Sequence, residues 1–288
     1  MQLSELRNIT PFCVRDASFS NLGLLNHTGG ELLVCFYDAN FEKALLGNPH
    51  ISAVITTKSL AERIPSHLGV VVSDQPIDSF YKIHEFLLNQ TSFYGERWDS
   101  VIDSKAKIDD GVFISKFNVR IGAHVRITRG TQIHSGTEIE MNAVLGPNVI
   151  VGYDGFEPKR IEDRLTIVPH GGGVKLDEGV EVLANSNIAK SVFRGVTKVG
   201  RETKIDALIN ISHNVSIGDR CRIAANASIA GSTSIGNDVW IGPGAIISSG
   251  ICLGDRSYVV LGSVVTSSIV AGSKVAGNPA RVIGVLKD

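Results

Sequence analysis

The aliphatic residues from position 102 onward recur at intervals of six. The longest unbroken series has twelve members: Val199, Ile205, Ile211, Ile217, Ile223, Ile229, Ile235, Ile241, Ile247, Leu253, Val259 and Val265. Three earlier series keep the same spacing: Ile102, Ile108 and Ile114; Ile121, Ile127, Ile133, Ile139, Leu145 and Val151; Leu176, Val182 and Ile188. Because a helix repeats every ~3.6 residues and a strand every ~2, neither explains an interval of six.

This interval is typical of a short strand that sends one large side chain inward and then turns a corner. Three such sides close a triangular coil of about 18 residues, and stacked coils lie about 4.8 Å apart. The aliphatic positions therefore predict a mainly β solenoid, a parallel β-helix of about eight coils. Glycines that follow several of these positions, such as Gly200 and Gly218, are expected to relax the backbone at the corners.

The first hundred residues have a different pattern. Three short runs rich in aliphatic and β-branched residues are typical of strands: 32–37, 51–56 and 68–73. Apolar residues at helical spacing follow them: Ile77, Phe80, Tyr81, His84 and Leu87 or Leu88. We therefore predict a small α/β domain over 1–100, a β-helix over 101–277 and a C-terminal tail over 278–288.

Charge and composition exclude several classes of function. Twenty-eight basic residues against 29 acidic ones give a formal charge of −1, so no overall field favours nucleic acid or an anionic membrane. The four cysteines form no CxxC pair, which predicts neither a zinc site nor a disulfide framework. No apolar run approaches the about 20 residues of a membrane span, and no leader pattern opens the chain. A cytoplasmic protein without membrane insertion is expected.

The six-residue repeat is interrupted twice. The longer excursion, 152–173, reads GYDGFEPKRIEDRLTIVPHGGG and is too polar to form wall; a shorter one covers 189–198. Loops that leave a rigid scaffold often carry functional residues. The longer excursion supplies Asp154, Phe156 and His170 as candidates, and Lys159 and Arg160 as a basic pair that could meet a diphosphate.

Three groups of motifs carry a resemblance to a known family. They are VCFYDANFEKAL with ISAVITT, GYDGF with IVPHGGGV, and KIDALINISHNVSIGD with ASIAGSTSIG. Together they resemble hexapeptide-repeat acyltransferases, and among these the UDP-3-O-acylglucosamine N-acyltransferases of lipid A synthesis. The resemblance implies a left-handed β-helix, a homotrimer with active sites between subunits, and transfer of an acyl group to a nucleotide-linked amino sugar.

The resemblance also assigns roles to residues of this chain. In the N-terminal domain it implies that Phe36 and Phe41 stack on uracil, with Asn40 as a polar contact. In the solenoid it places His213 at the catalytic histidine, Gly231 at the oxyanion donor and Asp206 facing the acceptor sugar. Asp154, Phe156 and His170 are the remaining substrate-binding candidates, and His124 and His134 are interpreted as surface or interface residues.

The chemistry of amide formation fits His213. An amine attacks a thioester only when unprotonated, and a neutral imidazole is a suitable base near pH 7. One coil of about 18 residues places Gly231 directly above His213, about 4.8 Å away, where its N–H could hold a developing oxyanion. Asn214 is expected to orient the ring or the acceptor.

The acyl donor is less clearly indicated. Gly250 stands where the lipid A enzymes have a carrier-side histidine, and IAKS at 188–191 replaces their IDRG. The end, VAGNPARVIG, is similar to acetyl-CoA-dependent nucleotide-sugar N-acetyltransferases. We therefore expect acetyl-CoA or another short acyl-CoA as donor, with 3-hydroxyacyl carrier protein as the alternative.

Two other classes of function remain open. Carbonic anhydrases of the γ type share this solenoid, but their close HxxxxH pair is absent here, so no metal is expected. A solenoid that binds or scaffolds without turnover would keep its function after the loss of His213.

Overall fold

The computed structural model describes residues 1–6, 8–9 and 13–286. The chain forms two compact units. The first contains Met1–Glu96 and Glu157–Pro169, and the second contains Arg97–Phe156 and His170–Asp288. The middle of the long excursion therefore belongs to the first unit. Among the described residues, no helix has the length and apolarity required to cross a membrane.

The first unit is a five-stranded sheet with helices. Its strands are β1 (Cys13–Arg15), β2 (Asn21–Gly23), β3 (Leu32–Phe36), β4 (Ile51–Thr56) and β5 (Gly69–Val72), in the order β1-β5-β4-β3-β2. Its helices are α1 (Glu42–Gly47), α2 (Lys58–Ala61) and α3 (Pro76–Gln90), with 3-10 turns at Leu3–Leu6 and Ala39–Phe41. The excursion adds an antiparallel hairpin of Pro158–Ile161 and Arg164–Ile167. The three predicted strands and the predicted helix are all present.

The second unit is a three-sided parallel β-helix. Face A contains Val101–Ile102, Val119–Ile121, Thr137–Ile139, Gly173–Leu176, Val196–Val199, Ser216–Ile217, Ser234–Ile235 and Cys252–Leu253. Face B contains Lys107–Ile108, Arg126–Ile127, Val144–Leu145, Glu181–Val182, Lys204–Ile205, Arg222–Ile223, Trp240–Ile241, Tyr258–Val259, Ser273–Gly277 and Ala280–Val285. Face C contains Phe113–Ile114, Gln132–Ile133, Ile150–Val151, Asn187–Ile188, Asn210–Ile211, Ser228–Ile229, Ile246–Ile247 and Val264–Val265.

Each predicted aliphatic position is the last residue of one of these strands. From Ile121 onward these side chains are buried and pack on one another through the interior. Ile102 and the next two lie on the first coil and are only partly covered, because no coil precedes them. The last two strands of face B, which include most of the predicted tail, form an antiparallel hairpin.

The glycines that follow the aliphatic positions have a different role from the predicted one. Positive φ occurs three residues after the aliphatic position instead, as at Asn214 (φ 61°) and Arg220 (φ 56°). A Cβ built on Gly218 would lie 2.6 Å from the carbonyl oxygen of Gly236 in the next coil. These glycines therefore allow close stacking of the coils, and the corner conformation does not require them.

Both interruptions of the repeat occur at one edge of the β-helix. We define the loop edge as the turns that connect each strand of face C to the next strand of face A. The chain leaves this edge after Ile150–Val151 and again after Asn187–Ile188. The turns that contain His213 and Gly231 lie at the same edge, in the next two coils.

Candidate active site at the loop edge

His213 and Gly231 are stacked in adjacent coils. Strands Asn210–Ile211 and Ser228–Ile229 pair in register, and the Ser232 N–H donates to the His213 carbonyl oxygen at 2.9 Å. A Cβ built on Gly231 would lie 2.6 Å from Cε1 and 2.8 Å from Nε2 of His213. The structure thus has the predicted stacking, and only glycine leaves room for the imidazole in this position.

The backbone N–H of Gly231 has no hydrogen-bond acceptor in the described chain, unlike the N–H groups at equivalent turn positions of other edges. At the other two edges of the β-helix, the corresponding N–H is held by a side chain: the Asp219 N–H donates to Asn237 Oδ1 at 2.8 Å, and the Ala225 N–H donates to Asp206 Oδ2 at 3.1 Å. In the part of the chain that the structure describes, the Gly231 N–H donates no hydrogen bond. A donor beside an imidazole is therefore available to a ligand.

Asn214 sets the tautomer of His213. Asn214 Oδ1 accepts the Val192 N–H at 3.1 Å and lies 3.0 Å from His213 Nδ1. Asn214 Nδ2 donates to Ser191 Oγ at 2.8 Å, which fixes the orientation of the amide. Because an amide oxygen only accepts, Nδ1 carries the proton in the neutral ring and Nε2 is the basic nitrogen.

His170 packs against the same imidazole. The two rings lie edge to face, with centroids 5.5 Å apart and an interplanar angle of 84°. Gly155 lies against both, since a Cβ there would be 3.2 Å from His170 Nε2 and 3.3 Å from His213 Cδ2. His170 is only 2% exposed, which does not suit the predicted contact with substrate. Its position is that of a residue that supports His213.

The start of the excursion contains one paired and one exposed candidate. Asp154 forms an ion pair with Lys190, with 3.0 Å between Oδ1 and Nζ. Phe156 is 79% exposed and remains accessible to a ligand. Both residues lie in the first part of the excursion, just after the chain leaves the loop edge.

His134 is a further residue of the loop edge that the sequence did not single out for chemistry. Burial lowers the pKa of this imidazole, the nearby Lys190 ammonium lowers it further, and Asp154 opposes the shift. The Tyr153 ring lies edge to face with it, at a centroid distance of 5.0 Å. His134 therefore favours its neutral form, and no periodicity or motif could have shown this.

Asp206 lies at another edge of the same chain, between faces B and C. Its carboxylate accepts the Ala207 N–H at 2.8 Å and the Ala225 N–H at 3.1 Å. It also borders a cavity of about 410 Å³ that Arg222 and Trp240 help to line. The structure of one chain does not bring Asp206 and His213 together, because successive edges separate them.

The first unit contains its own cavity, of about 380 Å³. Tyr37 and Phe41 line it and are 52% and 49% exposed, whereas Asn40 is exposed outside the lining. Phe36 is fully buried in the core below the sheet, so its ring has no face for a base. Phe80 and Tyr81 also line the cavity but are buried, so the exposed aromatic pair is Tyr37 and Phe41. The prediction from the sequence named Phe36, the neighbour of Tyr37, in its place.

The cavity of the first unit is otherwise mostly apolar. Lys159 lines it, so one half of the predicted basic pair does reach a pocket, although its ammonium lies 2.8 Å from the Glu157 carboxylate. Arg160 instead donates to the carbonyl oxygen of Asp163 at 3.1 Å. Burial raises the pKa of the Cys35 thiol in the lining to about 12, which makes it unreactive.

Comparison with known proteins agrees with this architecture. The family model described as bacterial transferase hexapeptide (six repeats) matches residues 197–231. The model described as hexapeptide repeat of succinyl-transferase matches residues 232–267. The two matches adjoin and cover residues 197–267, so this part of the chain is similar to hexapeptide-repeat transferases. His213 and Gly231 both lie in the first of these matched segments.

Curated relatives of this hexapeptide-repeat protein extend the likeness. A UDP-3-O-acylglucosamine N-acyltransferase of Bradyrhizobium sp. is 29% identical over 223 residues, which are 67% of this chain and 62% of the relative. The enzyme of the same name from Rhizobium johnstonii is 32% identical over 224 residues, 65% of this chain and 61% of the relative. The matched part of the chain thus spans about six-tenths of the length of these relatives.

Solved structures of similar fold include two sugar acyltransferases. The UDP-N-acetylglucosamine acyltransferase from Campylobacter jejuni has a TM-score of 0.54 at 23% identity, over 65% of this chain and 73% of the other. The Francisella novicida enzyme has a TM-score of 0.53 at 18% identity, over 65% and 68%. At these identities the likeness concerns the fold, and it confirms a left-handed parallel β-helix.

Proposed function

We propose that this hexapeptide-repeat protein is an N-acyltransferase that acts on a UDP-linked amino sugar. The relatives named UDP-3-O-acylglucosamine N-acyltransferase favour UDP-3-O-acylglucosamine as the acceptor. They favour the lipid A reaction, with 3-hydroxyacyl carrier protein as donor, over our sequence-based preference for acetyl-CoA. Gly250 and the tail remain the two features that speak for a short acyl-CoA.

One observation carries the proposal: the basic nitrogen of an oriented imidazole lies beside a backbone N–H that is open to a ligand. His213 Nε2 takes the proton of the acceptor amine as the nitrogen attacks the thioester carbonyl carbon. General-base catalysis of this kind contributes about 10² to 10⁴ in rate. The Gly231 N–H donates to the oxyanion of the tetrahedral intermediate, a contribution of about 10² to 10³.

The second half of the reaction returns the proton. The intermediate collapses with cleavage of the C–S bond, and the leaving thiolate takes the proton from the His213 imidazolium. A C–N bond has then replaced the C–S bond, and the enzyme is unchanged. Asn214 Oδ1 accepts the Nδ1–H throughout and stabilises the imidazolium. His170 and Gly155 act as positioning residues that hold the plane of the ring.

We assign acceptor binding to groups around this centre. Asp154 and Phe156 follow the loop edge and are candidates for contacts with the sugar. Asp206, at a different edge, would reach the acceptor of a neighbouring protomer in the homotrimer that the resemblance implies. The Tyr37 and Phe41 rings, which border the cavity of the first unit, are the candidates for stacking on uracil.

The experiment pairs the acceptor with both donors. Purified protein is incubated with UDP-3-O-(3-hydroxyacyl)glucosamine and either 3-hydroxyacyl carrier protein or acetyl-CoA, and the product is identified by mass spectrometry. We expect an amide product with the carrier-protein donor and its loss in His213→Ala. Amide formed only from acetyl-CoA would restore the short-chain assignment. Absence of product with both donors, or full activity of His213→Ala, would refute the proposed mechanism.

The same variant separates the remaining classes of function. In the described residues, no group of three or more His, Cys, Asp or Glu side chains converges as a metal site would. A binding solenoid without turnover would show no amide product in any donor and acceptor combination, yet would retain binding of the UDP-sugar by calorimetry after His213→Ala.

A further inference from the structure

Four basic side chains converge on the first two coils of the β-helix. We define the basic array as Lys105, Lys107, His124 and Arg126. Together with Asn142 from the third coil, they line a cavity of about 540 Å³. The cavity lies on face B and the adjoining edge, away from the loop edge that contains His213.

The array places like charges in direct register. Lys107 pairs with Arg126 between neighbouring parallel strands, and Lys105 and His124 precede these two residues by the same two positions. Neighbouring coils are about 4.8 Å apart, and like charges directly opposite each other across strands are destabilising. Such an arrangement costs stability unless an anion is present.

Elsewhere in the β-helix, stacked cationic side chains lie beside a carboxylate or an aromatic ring that offsets their charge. Lys175 and Lys198 are also in register, and Asp177 lies 3.9 Å from the first and 3.1 Å from the second. A second in-register pair is Lys204 and Arg222. Glu181 lies 2.8 Å from the ammonium of the former, and the guanidinium of the latter lies 5.3 Å from the centre of the Trp240 ring.

The basic array has no such partner in the described part of the chain. No member of the array forms an ion pair there. The carboxylates near it are engaged by other groups. Asp103 accepts the backbone N–H of Lys105 at 2.8 Å, Asp109 accepts that of Arg129 at 3.3 Å, and Glu178 accepts from the side-chain amide of Asn142 at 3.3 Å.

We propose that the basic array is a binding site for a phosphate-bearing small molecule, separate from the acyl-transfer centre. Arg126 presents a planar fork that matches two phosphate oxygens, and the two ammonium groups add point charges with rotatable donors. The Asn142 amide and the His124 ring add further donors at the rim. The cavity has space for a phosphate or diphosphate group, and its charge selects against neutral and cationic ligands.

Isothermal titration calorimetry of the full chain with pyrophosphate and inorganic phosphate, at constant ionic strength set with chloride, tests the site. We expect saturable binding of one ligand per chain that weakens steeply with added salt. Arg126→Ala and Lys107→Ala are each expected to raise the Kd at least about tenfold. Lys116→Ala is the matched control, because it removes one positive charge from the same coils at the loop edge and should leave the Kd unchanged.

Two further arms identify the source of the phosphate and keep this proposal separate from the proposed function. Adenosine 3′,5′-bisphosphate represents the phosphate-bearing end of coenzyme A, and uridine diphosphate represents the acceptor; whichever displaces pyrophosphate identifies the ligand. His213→Ala should bind pyrophosphate as the wild type does, whatever its activity. The proposal is overturned if pyrophosphate shows no saturable binding, or if Arg126→Ala and Lys116→Ala bind it equally well.

Discussion

Two edges of the β-helix have the same backbone turn and use it differently. At the edge between faces A and B, the N–H groups of Arg201, Asp219 and Asn237 each donate to the side chain of the residue one coil further, at 2.9, 2.8 and 2.7 Å. At the loop edge, the equivalent positions include His213 and Gly231, and no such ladder forms there in the described residues. In the described chain, these three donors of the first edge are satisfied, and the Gly231 N–H of the second edge donates no hydrogen bond.

The comparison shows how a repeat protein makes a site. At the edge between faces A and B, the turn N–H groups of Arg201, Asp219 and Asn237 are satisfied by an Asp or Asn side chain of the next coil. At the loop edge, Ser249 occupies the capping position for the Gly231 N–H but makes no hydrogen bond in the described chain, and the glycine at 231 leaves space for the His213 ring. The difference between a structural edge and a candidate catalytic edge is therefore a change of one or two side chains on a common scaffold.

The largest expected effect is a loss of activity when His213, at the loop edge, is replaced. His213→Ala removes the proposed general base, and we expect kcat to fall about 100-fold or more with little change in KM. Steady-state kinetics with the carrier-protein donor measures this. His67→Ala, an exposed histidine of the first unit, is the matched control and should keep wild-type kcat. A kcat for His213→Ala within twofold of the wild type would exclude its role as base.

Gly231→Ala tests the space that the loop edge leaves. The added Cβ would approach the His213 ring to 2.6 Å, so the ring must move. We expect kcat to fall about 10-fold to 100-fold, since a displacement of about 1 Å at a catalytic group can have effects of this size. Gly284→Ala, where an added Cβ meets nothing within 4 Å, should be neutral. Equal kinetics for the two variants would contradict the stacking argument.

His170 supports the ring from its other side. His170→Ala should lower kcat about 10-fold through loss of ring orientation, and His170→Phe, which keeps an aromatic edge against His213, should recover most of it. The pH dependence of kcat should keep its shape in His170→Phe, because this residue transfers no proton. A changed pH profile in that variant would instead indicate that His170 takes part in proton transfer.

Substitutions at the edge between faces A and B are expected to lower the stability of the fold and to leave activity unchanged. Asp219→Ala removes the cap of the Arg201 N–H and the contact with the Arg201 side chain, at a cost of about 1 to 2 kcal/mol in the free energy of unfolding. Urea denaturation measures the loss. Ser249→Ala, at the equivalent position of the loop edge, should cost nothing measurable, because its hydroxyl makes no hydrogen bond within the described chain.

The smallest expected effect is a pH dependence at the Asp238–Arg220 pair. The hydrogen bonds from Arg220, 2.8 Å each, lower the pKa of the Asp238 carboxyl. A carboxyl with a lower pKa in the folded chain stabilises it above the unfolded pKa of about 4, and this stabilisation disappears as the pH falls through the folded pKa.

Solvent screening keeps the contribution of this half-exposed pair small. The stability difference between wild type and Asp238→Asn should therefore be constant above about pH 5 and shrink below about pH 4. Urea denaturation at several pH values measures it. A difference that is independent of pH down to pH 3 would show that the ion pair is not formed in solution.

Several site residues could be predicted because they depend on the repeat. The interval of six residues determines which side chains face inward, and the coil length by itself places residue 231 over residue 213. The N-terminal site was harder to predict. Phe36 and Tyr37 are adjacent at the end of a strand, so they point to opposite faces, and the composition of the run does not say which face is buried.

The sequence by itself determined the coil, its register and the residues that stack at each edge, because a strict period leaves one way to bury one aliphatic residue per turn. Only the tertiary structure decided which groups remain open at those edges. Whether an N–H is capped, an imidazole supported from behind or a row of cations compensated depends on side chains about 18 residues or more apart in the chain, and these meet only when the coils stack.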